Sequence, residues 1–192
     1  MITKLIEVEE YHRLISVLHG RDCLIVELLA STGLRVSELV QLKRGDIDLD
    51  AQLIRLNATK TKTQTYREVI IPAPLVPDLK RYMDQLEGEY LFPGQGKPHV
   101  TSQRIRQIVH DGALKAGIQV AYRDNTKGKR NLWKVTPHTL RSFHAVHSLD
   151  CGVPISDLQS QLGHSSLTST SRYLEAGVNH RRQSYKRFNF LI

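Results

Sequence analysis

Through most of this chain apolar residues recur at the spacing of a helix, and that rhythm limits the fold more than any other feature. Val8, Tyr11, Leu14, Ile15 and Leu18 fall on one face of a 3.6-residue period. A second helix is predicted from about Asp22 to Ser31, stopping near Gly33, since glycine accepts the left-handed conformation that ends helices. LRVSELVQL continues as helix with Leu34, Leu39 and Leu42 inward. Pro72, Pro74 and Pro77 introduce a helix ending near Gly88, and another covers roughly 101–116 with Ile105, Ile108, Val109 and Leu114 facing in. Further helices are predicted at 138–150, 155–162 and 166–175. The rhythm breaks once. AQLIRLNA and REVIIP lean to β structure around the polar centre KTKTQTY, the pattern of a hairpin with a Lys/Thr turn. The fold class is therefore mainly α with a small antiparallel β-hairpin. No internal repeat or long linker divides the 192 residues, so they read as one domain with a tail.

Composition narrows the partners. No apolar run approaches the ~20 residues of a membrane span, and the longest, LIVELLA, carries Glu27. The start, MITKLIEVEE, lacks the basic and apolar regions of a signal peptide. Cys23 and Cys151 sit in apolar helical contexts and read as inert thiols of a reducing, cytoplasmic compartment. A net charge of +8 favours a polyanionic partner. The most basic stretch, VAYRDNTKGKRNLWKV, carries Arg123, Lys127, Lys129, Arg130 and Lys134 with Tyr122 and Trp133 at its ends. Basic residues interleaved with aromatics suit phosphate contact.

Several chemistries drop out. DIDLD at 46–50 has the alternating acids of a calcium loop without its Gly and closing Glu. GQG at 94–96 lacks the flanking strand and Lys-Ser/Thr of a phosphate cradle. His138, His144 and His147 have no carboxylate or Cys beside them, so no metal is expected. What remains is spread over five segments. TGLRVSEL holds Arg35 and Glu38; KTKTQTYR holds Lys60 and Lys62; PHTLR puts His138 and Arg141 on one helical face; LGHSSLTSTSRYL holds His164 and Tyr173. In isolation each is better read as an ordinary surface pair, cap or core residue.

In this order, the set resembles the catalytic domain of the tyrosine recombinases, the phage-integrase and Xer family, from the first helix to Tyr173. The resemblance implies a site-specific DNA recombinase without metal, ATP or other cofactor. Tyr173 would be the nucleophile, Arg35, Arg141 and His164 would bind the phosphate oxygens, and Lys62 (or Lys60) would protonate the departing 5′ oxygen. His138 would assist at the tyrosine, and Glu38 would orient Arg35 or His138. The chemistry is consistent with these side chains. A phenol of pKa ~10 needs nearby cations to become an anion, and without a metal the oxygens of a phosphodiester need fixed donors, for which guanidinium forks are suited. Alternatives are topoisomerase-like relaxation of DNA, or a non-catalytic DNA-binding regulator.

The resemblance further implies double-stranded DNA as partner, a tetramer on paired sites, a catalytic domain over 1–175 with a basic insertion at about 119–135, and a tail, 176–192, that contacts a neighbouring protomer. The separate helical domain that precedes the catalytic domain in most members has no counterpart in this sequence. The chain departs from the family after HTLR, where Ser142, Phe143 and His144 replace the common His and Thr or Ser.

Overall fold

The computed structural model describes residues 5–57, 66–123 and 131–163. Seven helices and five short strands are present among them. In order they are α1 (Val8–Ser16), α2 (Gly20–Thr32), α3 (Val36–Leu39), β1 (Ile47–Asp48), β2 (Leu53–Leu56), β3 (Arg67–Ile70), α4 (Val76–Asp84), α5 (Ser102–Lys115), β4 (Ala121–Arg123), β5 (Asn131–Trp133), α6 (Pro137–Asp150) and α7 (Ile155–Leu162).

Helix α2 is the central element. Leu24, Ile25, Val26, Leu28, Leu29, Ala30 and Thr32 are all buried, as befits a helix that is apolar on nearly every side and surrounded by others. Helix α6 packs along it, and α1, α4 and α5 also touch it. The main core gathers these helices with Ile54, Leu56, Val69 and Ile71 of the sheet region. A smaller cluster of Ala145, Leu149, Leu158 and Leu162 fastens α7 to the end of α6.

The predicted hairpin is present as β2 and β3, paired antiparallel with Leu53 opposite Ile70 and Leu56 opposite Arg67. Two residues, Ile47 and Asp48, add a third strand at the edge of β2. They come from DIDLD, and a two-residue strand is too short to carry an alternating pattern. Three expectations need correcting. LRVSELVQL is helical only over Val36–Leu39, although Leu34, Leu39 and Leu42 are buried as predicted. Leu114 is 53% exposed: the inward stripe of α5 runs through Ile105, Ile108, Val109, Gly112 and Ala113, and Leu114 lies one helical step (~100°) past its edge. Cys151 is exposed just beyond α6, with its sulfur 3.7 Å from His147 Nε2. Cys23 fits its inert assignment, since burial and Glu27 push its thiol up to about 11.

Both ends of the basic 120–135 stretch pair as a second antiparallel hairpin, with Tyr122 opposite Leu132. No helix among the described residues is long and apolar enough to cross a membrane.

Candidate active site

Two helix ends build the site. Helix α2 stops at Gly33, whose φ of +67° is left-handed, and α7 stops at Gly163 with φ +63°. Neither position tolerates a side chain. A Cβ on Gly33 would lie 2.6 Å from His144 Cδ2, and one on Gly163 would lie 2.7 Å from Arg67 Cδ.

The last carbonyls of a helix have no partner within it and form the negative end of its dipole. At the end of α7 three consecutive carbonyls each accept from a different arginine. Gln161 O takes Arg67 Nε at 3.3 Å, Leu162 O takes Arg141 Nη2 at 2.8 Å, and Gly163 O takes Arg35 Nη2 at 3.4 Å. Arg141 Nη1 also donates to Gly33 O, the end of α2. Arginines from α6, β3 and the entry of α3 thus meet at one point, although more than a hundred residues separate Arg35 from Arg141.

Glu38 binds two of them together. Its side chain is fully buried and receives the fork of Arg67, Nη1 to Oε1 at 2.9 Å and Nη2 to Oε2 at 2.8 Å. Arg35 adds Nη1 to Oε1 at 2.9 Å and its backbone N–H to Oε2 at 2.8 Å. Burial works to raise the Glu38 pKa, but the Arg67 hydrogen bond and charge, with the bonds from Arg35, outweigh it and hold the carboxyl below its ordinary value. Glu38 is therefore an anion at neutral pH. Of the two residues it was expected to orient, Glu38 bonds Arg35, and its other partner is Arg67.

Gln161 locks α7 in place. Its Oε1 accepts Ile70 N–H at 2.9 Å, while its Nε2 donates to Ile70 O at 3.1 Å and Thr32 O at 3.3 Å. One side chain thus joins α7 to the β3 edge and to the end of α2.

His138 is exposed in the first turn of α6, which is capped by the Thr136 hydroxyl accepting from Thr139 N–H at 3.2 Å. It lines a cavity of about 470 Å³ with Val36, the residue after Arg35, and with Arg106, His110 and Trp133. His138, His144 and His147 do not gather into a metal cluster, and no group of three or more potential ligands occurs among the described residues.

Of the other expected site residues, Lys60, Lys62, His164, Tyr173, Lys127, Lys129 and Arg130 lie outside the described residues, and Arg123 falls in β4. Lys134 forms an ion pair with Glu10 of α1, a link it would have to break to reach DNA. Arg67 and Gln161 were not foreseen as site residues. The visible signal for Arg67 was its place on the returning strand five residues after Lys62; nothing local marks Gln161.

Comparison with known proteins places the chain in a family. The sequence profile described as the phage integrase family matches residues 4–180. Tyrosine recombinase XerA of Thermococcus kodakarensis is 35% identical over 187 residues, covering 93% of this chain and 60% of the relative. XerA of Pyrococcus furiosus is 34% identical over 191 residues, covering 95% and 61%. The chain therefore spans about three fifths of the length of these relatives. A crystal structure of XerA recombinase superposes with a TM-score of 0.78 at 30% identity, over 98% of this chain and 64% of that one. XerH recombinase bound to a palindromic difH substrate in a post-cleavage complex shares the fold, with a TM-score of 0.74 at 20% identity over 96% of this chain and 53% of that one. By its sequence profile and its fold, the chain belongs to the phage integrase family.

Proposed function

We propose that the chain is the DNA-cleaving and rejoining domain of a site-specific recombinase, comprising residues 1–175 with a tail at 176–192. The observation that carries this reading is the meeting of Arg35 and Arg141 on the neighbouring carbonyls of Gly163 and Leu162, immediately before His164 in the chain. Two guanidiniums held by fixed acceptors are preorganised donors, and they lose little by reorganising when a phosphate gathers charge. Glu38 and Arg67 keep Arg35 from swinging into solvent.

In the proposed reaction the Tyr173 phenolate attacks the scissile phosphorus and the bond from phosphorus to the 5′ oxygen breaks. Arg35, Arg141 and His164 meet the charge on the nonbridging oxygens. Lys62, or Lys60 two residues before it, gives a proton to the leaving 5′ oxygen, and His138 takes the one released by the tyrosine. The 3′-phosphotyrosine conserves the phosphodiester energy, so a second 5′ hydroxyl can rejoin without ATP. The basic residues Arg123, Lys127, Lys129 and Arg130 would track the backbone, giving affinity that falls steeply with salt. Phe188, Phe190 and Leu191 of the tail suit contact with a neighbouring copy in a tetramer on paired sites. XerH, which shares the fold, is described in complex with its difH substrate after cleavage.

A nicked duplex carrying a recombination site tests the proposal, because loss of the short 5′ fragment traps the covalent complex. Wild-type protein should be captured on the DNA and Tyr173→Phe should not. Capture of Tyr173→Phe would overturn the nucleophile, and specific binding without any covalent product would favour the regulator.

A further inference from the structure

We propose that His144 is a positioning residue for Arg141, holding the Gly33 carbonyl on which that guanidinium rests. The inference rests on the reading of Arg141 as a phosphate-binding residue. His144 is 9% exposed and lies three residues along α6 from Arg141. Its Cδ2 edge and the Leu162 side chain both crowd Gly33, so closely that a Cβ there would be 2.6 and 2.7 Å from them. Gly33 O and Leu162 O both accept from Arg141. The ring therefore packs against Gly33, whose carbonyl is one of the acceptors of Arg141.

The Ala30 carbonyl of α2 acts on the ring to favour its protonated form, while Nε2 is buried with no hydrogen-bond partner. A nitrogen left unpaired in the interior costs stability, so the position is not explained by polar pairing alone. A flat ring fills the space against Gly33. Protonation would disrupt this arrangement. Burial, then the charge of Arg141, with a smaller effect from His147, lowers the imidazole pKa to about 4. The titratable groups around the neighbouring cavity are Tyr11 and His12 of α1, His147 of α6, Cys151 after it, and Asp157 of α7; α2 and β3 contribute only Ala30, Ser31 and Ile70. His144 therefore stays neutral throughout the physiological range.

The test compares single-turnover cleavage of the nicked duplex with that of the same duplex carrying a methylphosphonate at the scissile position. Replacing a nonbridging oxygen by methyl removes the charge that Arg141 would meet. Displacing a binding group by about 1 Å costs on the order of 100-fold. His144→Ala should thus be slowed at least ~10-fold on the phosphate and by less than ~3-fold on the methylphosphonate, with DNA affinity unchanged. His144→Phe, which keeps the ring, should recover most of the rate. Equal slowing of His144→Ala on both substrates would reveal a merely structural role, and wild-type cleavage of the phosphate would remove any role. Either result overturns the proposal. If His144→Ala does not fold, His144→Leu fills the space without the flat edge and gives the same comparison. Arg141→Ala distinguishes the two layers: cleavage at wild-type speed would overturn the reading of Arg141 itself, whereas a slow Arg141→Ala beside a fast His144→Ala would overturn only the positioning role.

Discussion

Replacing Glu38 by glutamine should destabilise the protein by about 3–4 kcal/mol. The carboxylate receives four hydrogen bonds, two from Arg67 and two from Arg35, divided equally between its oxygens. An amide keeps one oxygen and puts an NH2 in place of the other, so whichever way it turns two donors face a donor. Each hydrogen bond to a charged group contributes roughly 1.5–3 kcal/mol, giving about 3–6 kcal/mol for the pair. Arg35 is 23% exposed and regains some hydration, which brings the figure toward the lower end; Arg67 at 9% regains little. Breaking a buried ion pair from one side costs about 3–5 kcal/mol, in agreement. For a domain of this size, with a urea slope of about 2 kcal/mol/M, the unfolding midpoint should fall by roughly 1.5–2 M. Urea unfolding followed by circular dichroism measures it. A loss below about 1 kcal/mol would mean that desolvation of Glu38 cancels its pairing, and Glu38 could not then be what holds Arg35 in place.

Further consequences are open to measurement. Stability should fall with acid between about pH 6.5 and 4: His144 is neutral when folded, with its pKa lowered to about 4, so the unfolded chain binds the extra proton and up to roughly 3 kcal/mol is lost across that window. Protonation of Glu38, whose folded pKa is lowered, adds a loss of the same sign at more acidic pH, and His144→Phe should flatten only the upper part of the curve. Gly163→Ala should lower the thermal midpoint, since a left-handed alanine costs about 1–2 kcal/mol before its Cβ meets Arg67 Cδ at 2.7 Å; an unchanged midpoint would contradict the packing described. Arg141→Lys should slow cleavage by about 100-fold or more, because a single ammonium cannot reproduce a fork shared between Gly33 O and Leu162 O, and preserved rates would argue against preorganisation.

The parts of this structure that were legible in the sequence are those set by local rules. The inward face of α1 follows from apolar spacing, and the stop of α2 at Gly33 was visible because left-handed helix ends select glycine. β1 was not legible, because two residues pair only when β2 is already there to receive them. Leu114 was misread because an apolar residue one step beyond a stripe looks the same in sequence as one within it. At the site, Arg35, Glu38 and Arg141 could be picked out only as an ordered set; nothing near any of them distinguishes a buried anchor from a solvated pair. Arg67 and Gln161 escaped as site residues since their roles depend on contacts 29 and 91 residues away, which no periodicity records.

The hidden contacts also explain how three like charges come to share one place. Three guanidiniums converge where only Glu38, buried between Arg35 and Arg67, offers a full negative charge in the contacts described. The end of α7 supplies part of what is missing, because its terminal carbonyls carry the equivalent of roughly half a negative charge and face the arginines at 2.8–3.4 Å. Carbonyls are weaker partners than carboxylates for a cation, and that weakness suits the proposed chemistry. A second carboxylate in place of Leu162 O would bind Arg141 more tightly in the resting state, yet would repel the phosphate the arginine is proposed to receive. With carbonyl dipoles among its partners, the guanidinium is aimed at a fixed point. This division, a carboxylate for the arginine pair that must hold its shape and peptide carbonyls for the one proposed to meet a charge, follows from where two glycines end two helices.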